Sequence, residues 1–335
     1  MIQHTSHAWH ARPWQQELAE AVRDPRELCE LLALDPDLFP ATYAAHGEFA
    51  LRVPRPYLAR MRRGDPDDPL LRQIMPLGKE LISVPGYDRD PLGETDANPI
   101  PGLIHKYRSR VLLIVSPVCA INCRYCFRRH FAYEENRPTR SQWQPALDYI
   151  AARPEINEVI YSGGDPLATN DRQLRHLTTQ VAAIAHVKRL RVHTRLPVVI
   201  PSRIDAACIE WLTSTRLTPV MVLHINHPNE IDDEVRDAVT QLKNAGVTVL
   251  NQSVLLTGVN DSEQILVHLS EKLFAAGILP YYLHLLDRVA GAAHFNVALP
   301  KARTLYQAML AALPGYLVPR LVREDPGAAS KTPWA

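Results

Sequence analysis

The sequence predicts an α/β fold, six strand–helix units forming a barrel or part of one behind a helical N-terminal extension. Three observations predict it. Short apolar, β-branched runs recur from residue 111 onward, helix-like segments separate them, and the repeat is roughly 30 residues long. An open doubly wound sheet fits the same periodicity and stays open on pattern alone.

The elements follow in order. In the extension, residues 1–105, Leu18, Ala21, Val22, Leu28 and Leu32 sit at helical spacing within 15–23 and 26–34. Asp24-Pro25 ends the first helix and starts the second. Asp35-Pro36, Asp65-Pro66 and Asp68-Pro69 again favour turns and helix starts, and Pro99-Ile100-Pro101-Gly102 closes the extension, with no strong strand signal before it. Strand runs then fall at 111–115, 158–161, 190–193, 219–225, 247–256 and 279–285. Candidate helices fall at 142–152, 171–185, 206–213, 232–245 and 262–276. The expected organisation is a barrel unit over 106–290 and a C-terminal segment over 291–335. Chemistry is expected at the C-terminal ends of the strands.

Composition narrows the function classes. The 335 residues suffice for one large domain or a domain with an appendage. Charged residues at 22% and hydrophobic ones at 46% give the balance of a soluble globular protein. A net charge of +1 provides no basic field for nucleic acid. No apolar run approaches the roughly 20 residues of a membrane span, and residues 1–7 lack a signal-peptide core. A cytoplasmic location with no nucleic-acid or membrane partner is expected. The five cysteines are Cys29, Cys119, Cys123, Cys126 and Cys208. Their number is odd and three crowd into one short stretch, so a metal or redox role in a reducing compartment fits better than disulfides.

That stretch reads Ser116-Pro117-Val118-Cys119-Ala120-Ile121-Asn122-Cys123-Arg124-Tyr125-Cys126-Phe127 and follows the first strand run. Thiolates are soft ligands suited to iron–sulfur clusters or zinc. Three on a four-iron cube leave one iron open to a small molecule. A zinc site wants a fourth ligand, for which His130 is the nearest candidate.

This stretch resembles the radical S-adenosylmethionine superfamily, whose hallmark is Cys-x3-Cys-x2-Cys with an aromatic residue before the last cysteine, here Tyr125. The resemblance implies a full or partial (β/α)6 barrel and a [4Fe–4S] cluster on Cys119, Cys123 and Cys126. It also implies that the open iron holds S-adenosyl-L-methionine, cleaved by one electron from an external reductant. Ser162-Gly163-Gly164-Asp165-Pro166 resembles the superfamily's support for the methionine amino group. His224 and Gln252, within Asn251-Gln252-Ser253, are expected contacts of the same cofactor.

Further motifs sharpen the resemblance to lysine 2,3-aminomutases, and within them to the branch that makes β-lysine for elongation factor P. They are Cys126-Phe127-Arg128-Arg129-His130, then His224-Ile225-Asn226-His227-Pro228-Asn229-Glu230 with 251–261, and Pro326-Gly327-Ala328-Ala329-Ser330-Lys331-Thr332-Pro333. The family implies that Lys331 holds pyridoxal 5'-phosphate as a Schiff base. It gives Arg128 the carboxylate of the substrate L-lysine, and gives Asp287 and Glu324 its distant ammonium. The family has Asp at the position of Glu324. Arg110, Lys106 and Arg195 are candidates for the cofactor phosphate, with Arg110 the best match. Rival expectations are an iron–sulfur electron carrier or sensor, a radical enzyme acting on a macromolecule, and a free-standing catabolic aminomutase. The catabolic enzymes continue well beyond the lysine motif, whereas this sequence stops four residues after Lys331.

Overall fold

The computed structural model describes residues 13–133, 135–136 and 143–334. Residues 1–7, read for a leader, and Gln142, read as the start of a helix, lie outside these.

Nine strands form one sheet in strictly sequential order. They are β1 (Leu103–Tyr107), β2 (Arg110–Ser116), β3 (Glu158–Gly163), β4 (Arg189–Thr194), β5 (Thr218–Leu223), β6 (Thr248–Val254), β7 (Leu279–His284), β8 (Arg320–Arg323) and β9 (Thr332–Pro333). β2 to β8 run parallel, while β1 and β9 are antiparallel at the two edges. The order never reverses, so every crossover advances the same way and the sheet curls instead of forming a topological switch point. β1 does not pair with β9. The fold is a partial barrel, which excludes the doubly wound alternative.

The six strand runs in the sequence correspond to β2–β7. β1, β8 and β9 add to them, so the expected boundary at residue 105 cuts β1 and the segment beyond 290 completes the sheet. β8 has only Leu321 and Val322 as apolar residues, and β9 is two residues long. Neither carries a readable period.

Twelve α-helices accompany the strands among the described residues. α1 (Trp14–Ala19), α2 (Pro25–Leu32), α3 (Thr42–Glu48), α4 (Arg55–Leu58) and α5 (Pro69–Arg72) build the extension. α6 (Trp143–Ala151), α7 (Asp171–Ala183), α8 (Leu196–Val199), α9 (Ala206–Thr213), α10 (Asp233–Asn244), α11 (Glu263–Ala275) and α12 (Leu299–Ala312) belong to the crossovers. The Asp-Pro signals act as read. Asp24 accepts from Arg26 N at 2.6 Å and Asp68 from Leu70 N at 2.8 Å, satisfying amides that a helix start leaves bare while proline supplies the first φ. In α10 the buried residues Val235, Ala238, Val239 and Leu242 repeat at helical spacing and face the sheet.

One apolar core runs from Trp14 and Leu28 in the extension through Val159 and Leu190 to Ile278. A buried ion cluster joins extension and barrel as well. Glu80 accepts from Arg124 Nη2 at 2.5 Å and from Arg129 Nη2 at 2.8 Å, with all three side chains almost wholly buried. Arg124 also donates to Phe49 O at 2.5 Å and Ala45 O at 3.3 Å. No helix among the described residues is long and apolar enough to cross a membrane.

Removing one partner of such a cluster leaves buried charge uncompensated, a loss of about 3–5 kcal/mol. Glu80→Ala is therefore expected to lower unfolding free energy by that amount in urea titrations. A change under about 1 kcal/mol, the worth of a surface pair, would contradict the clamp.

Candidate active site

The C-terminal ends of the parallel strands open on a cavity of about 230 Å3. Successive residues of a strand face opposite sides, so alternate positions reach it. On β6 Gln252 and Val254 line it, while Asn251 and Ser253 turn away and bind Ile225 O at 3.0 and 2.7 Å. Of that polar run only Gln252 is a cavity residue. Every cofactor, substrate and cluster residue that the family resemblance implies lines this one cavity.

The cysteine loop leaves the end of β2 and is gripped by the glycine pair. Gly164 N donates to Ser116 O at 2.7 Å and Asp165 N to Val118 O at 2.8 Å. A Cβ on Gly163 would lie 2.5 Å from Ser116 O, and one on Gly164 would lie 2.7 Å from Val118 O. Gly163 also has φ +124°, a conformation L side chains rarely adopt. The pair is glycine because two backbones meet there. Burial, with the neighbouring Cys123 adding to it, pushes the Cys126 thiol up to about 12, so a cationic group is what would hold these sulfurs as thiolates. Among the described residues no three His, Cys, Asp or Glu side chains converge on one metal-ion position. Thiolates bound to separate irons of a cube have no common point, whereas a Cys3His zinc site needs one. His130 instead faces Ala290 O at 3.2 Å. The donor set fits an iron–sulfur cube. Cys29 and Cys208 are buried in the core away from the cavity.

Two expectations change here. The Asp165 carboxylate is committed to the chain itself, accepting from Thr194 Oγ1 at 2.6 Å, Arg195 N at 2.8 Å, Leu196 N at 2.9 Å and Leu167 N at 3.0 Å. It ties the ends of β3 and β4 together and has no capacity left for a cofactor. Arg195 is not available for a phosphate. Its guanidinium is buried and donates to Cys123 Sγ at 2.7 Å, Tyr125 Oη at 2.8 Å, Gln73 Oε1 at 2.7 Å, Glu230 Oε2 at 2.8 Å and Tyr57 Oη at 3.0 Å.

A chain of alternating charges runs along the lining to Lys331. Lys331 Nζ donates to Glu324 Oε2 at 2.7 Å, and Lys106 Nζ to Glu324 Oε1 at 2.8 Å. Lys106 also lies 3.2 Å from Glu94 Oε1. Glu94 takes Arg128 Nε at 2.6 Å and Nη2 at 2.8 Å, and Arg128 Nη1 donates to Ser162 Oγ at 3.0 Å. Arg128 is thus a buried side chain, and one edge of its fork belongs to Glu94. Lys106, read as a phosphate ligand, is already shared by two carboxylates. Although burial works against its charge, the Lys331 and Lys106 ammonium groups hold the Glu324 carboxyl well below the usual range. Arg110 stacks over Tyr107 with its guanidinium carbon 4.3 Å from the ring centre and has no carboxylate within ion-pair distance among the described residues. It is the cation left for a phosphate, so the lining fits pyridoxal phosphate at Lys331.

Burial holds the three histidines of the lining neutral. Desolvation first, then the charges of Arg195, Arg128 and Lys331, bring His224 down to about 3, and its Nε2 meets Gln252 Nε2 at 2.7 Å. His193 and His284 are lowered as well, and each has a buried Nε2 without a partner among the described residues. Asp287 Oδ1 is likewise buried without a partner, as a carboxylate awaiting a ligand cation would be. Sequence reasoning missed Glu94, His193 and His284. Glu94 lies in an irregular stretch with no period, and the histidines look like ordinary strand residues until the barrel turns them inward.

Burial pushes Asp287 up to about 7, whereas an unfolded carboxyl titrates near ~4. Between those values the folded protein binds more protons than the unfolded chain. This group's stabilisation is complete below the window and is lost as pH rises through about 7. Asp287→Asn is therefore expected to gain stability relative to the unsubstituted protein from pH 4 to 7, read from urea midpoints at each pH. A pH-independent difference would contradict this.

Comparison with known proteins gives the same picture. Residues 113–269 match the Radical SAM superfamily model. The chain is 52% identical to the L-lysine 2,3-aminomutase of Escherichia coli strain K12, over 96% of this chain and 94% of that one. It is 51% identical to the L-lysine 2,3-aminomutase of Haemophilus influenzae over 96% and 95%, and 33% identical to that of Clostridium subterminale over 96% and 77%. Identity at that level over nearly the whole length of both chains, on a partial barrel with three cysteines at its mouth, means that the chain belongs to the L-lysine 2,3-aminomutase family of radical S-adenosylmethionine proteins.

Proposed function

We propose that the protein converts L-α-lysine to β-lysine with a [4Fe–4S] cluster, S-adenosyl-L-methionine and pyridoxal 5'-phosphate. The observation that carries this reading is the meeting of Cys119, Cys123, Cys126 and Lys331 on one cavity. The cysteines would hold the cluster and Lys331 the pyridoxal phosphate, with Arg110 facing its phosphate. Cleavage of the sulfonium supplies a hydrogen-abstracting radical, and the pyridine aldehyde supplies the π-system across which nitrogen migrates.

The chain's own groups bind and orient. Glu94 and Ser162 fix the Arg128 plane and engage one N–H on each of its nitrogens, and the second N–H groups of Nη1 and Nη2 would meet the substrate carboxylate, a contact that an ammonium cannot reproduce. Asp287 and Glu324 would receive the distant ammonium. An arriving cation favours loss of the Asp287 proton, and Lys331, once engaged elsewhere, releases one Glu324 oxygen. Neutral His224 and Gln252 offer uncharged hydrogen bonds to the adenosyl part.

The finer reading is that the β-lysine goes to modification of elongation factor P, in the cytoplasm and with an external one-electron reductant. It rests on the branch resemblance. Higher identity to the Escherichia and Haemophilus relatives than to the clostridial one supports that grouping.

Lys331→Ala is expected to keep the cluster yet lose the pyridoxal absorbance and nearly all β-lysine formation. Borohydride reduction of the unsubstituted holoprotein, followed by peptide mass analysis, should find the pyridoxyl group on Lys331. A label on Lys106, Lys301 or another lysine would overturn the assignment, and no label at all would remove pyridoxal phosphate from the reading.

A further inference from the structure

Arg195 joins three parts of the molecule at the cluster cysteines. Its Nη1 donates to Cys123 Sγ at 2.7 Å, and among the described residues no other side chain hydrogen-bonds a cysteine of the trio. The cation is fixed from behind. Tyr57 and Gln73 come from the N-terminal extension, Tyr125 from the cysteine loop itself, and Glu230 from the turn after β5. Glu230 is fully buried, and its second oxygen accepts from Asn226 N at 2.9 Å, His227 N at 3.1 Å and Gln73 Nε2 at 3.2 Å. Glu230 and Tyr125 are thus themselves held, the latter by Asn226 Nδ2 at 2.6 Å, and five contacts fix the guanidinium beside the sulfur.

A buried cation next to a ligand sulfur has a definite effect on a redox centre. The cluster gains one negative charge on reduction. A positive charge and an N–H donor at Cys123 stabilise the more negative state, and low local dielectric enlarges the effect. Glu230 opposes it from the far side of the guanidinium. The pair is a fixed dipole with its positive end on the sulfur.

We propose that Arg195 is a positioning residue that raises the reduction potential of the cluster, and that Glu230 limits how far. The proposal rests on the reading that Cys119, Cys123 and Cys126 hold a [4Fe–4S] cluster. It concerns the one-electron uptake itself, before any substrate is present.

The test is a redox titration of the anaerobically reconstituted full chain without S-adenosylmethionine. Dithionite and mediators set the potential, and electron paramagnetic resonance follows the reduced cluster. Arg195→Gln should shift the midpoint to a more negative value, and Glu230→Gln to a more positive one, with iron and sulfide content unchanged. A role in packing alone would move both midpoints the same way or neither, and either result overturns the proposal. Should Arg195→Gln retain no cluster, Glu230→Gln decides alone, and a midpoint at or below that of the unsubstituted protein overturns it. Absence of a four-iron signal in the unsubstituted protein would instead overturn the cluster reading beneath.

Discussion

Arg124 stands between Cys123 and Tyr125 with its side chain fully buried, and the Glu80 carboxylate holds it from the extension. The cysteine loop has no regular hydrogen-bond ladder of its own, so its shape must come from what it packs against. Three things supply that shape. Glu80 pins Arg124 and Arg129, the Gly163–Gly164 backbone lies flat against Ser116 and Val118, and Gln73 and Glu230 lock Arg195 onto Cys123. Two of the three depend on residues of the extension. The helical segment ahead of the barrel is therefore part of the site's scaffold.

The charge arrangement at the other end of the cavity follows from the same economy of buried ions. Burying unpaired charge is costly, and the run Lys331, Glu324, Lys106, Glu94, Arg128 alternates in sign so that each group faces an opposite partner. A zwitterionic amino acid with a further ammonium matches such a lining. Its carboxylate can join Arg128 and its ammonium can join a carboxylate without leaving any ion alone. Asp287 is the exception that makes room, since its Oδ1 has no partner among the described residues and burial pushes its carboxyl up to about 7.

The fold was legible where burial imposes a period. β2–β7 read as apolar runs because parallel strands covered by helices and core are buried on both faces. The Asp-Pro pairs read as helix starts because the cap is local. β1 and β8 escaped because edge and near-edge strands mix apolar and charged residues. In the site, Cys119, Cys123 and Cys126 stood out by a spacing that chemistry sets within a few residues, whereas Lys331 stood out only through the family resemblance of 326–333. The roles of Arg195, Asp165 and Lys106 were not, because they are decided by partners at Glu230, Thr194 and Glu324, far away in sequence. Glu94 illustrates the limit. Nothing near it in the chain announces that it holds Arg128.

Omission of each cofactor in turn tests most directly whether one cavity brings two cofactors to one substrate. Reconstituted protein would be incubated anaerobically with L-lysine labelled at its α-nitrogen, and the label followed by nuclear magnetic resonance. The label is expected at the β-carbon when S-adenosylmethionine, reductant and pyridoxal phosphate are all present, with no transfer when any one is left out. Transfer without pyridoxal phosphate, or 5'-deoxyadenosine formation with the label still at the α-carbon in the complete mixture, would contradict it.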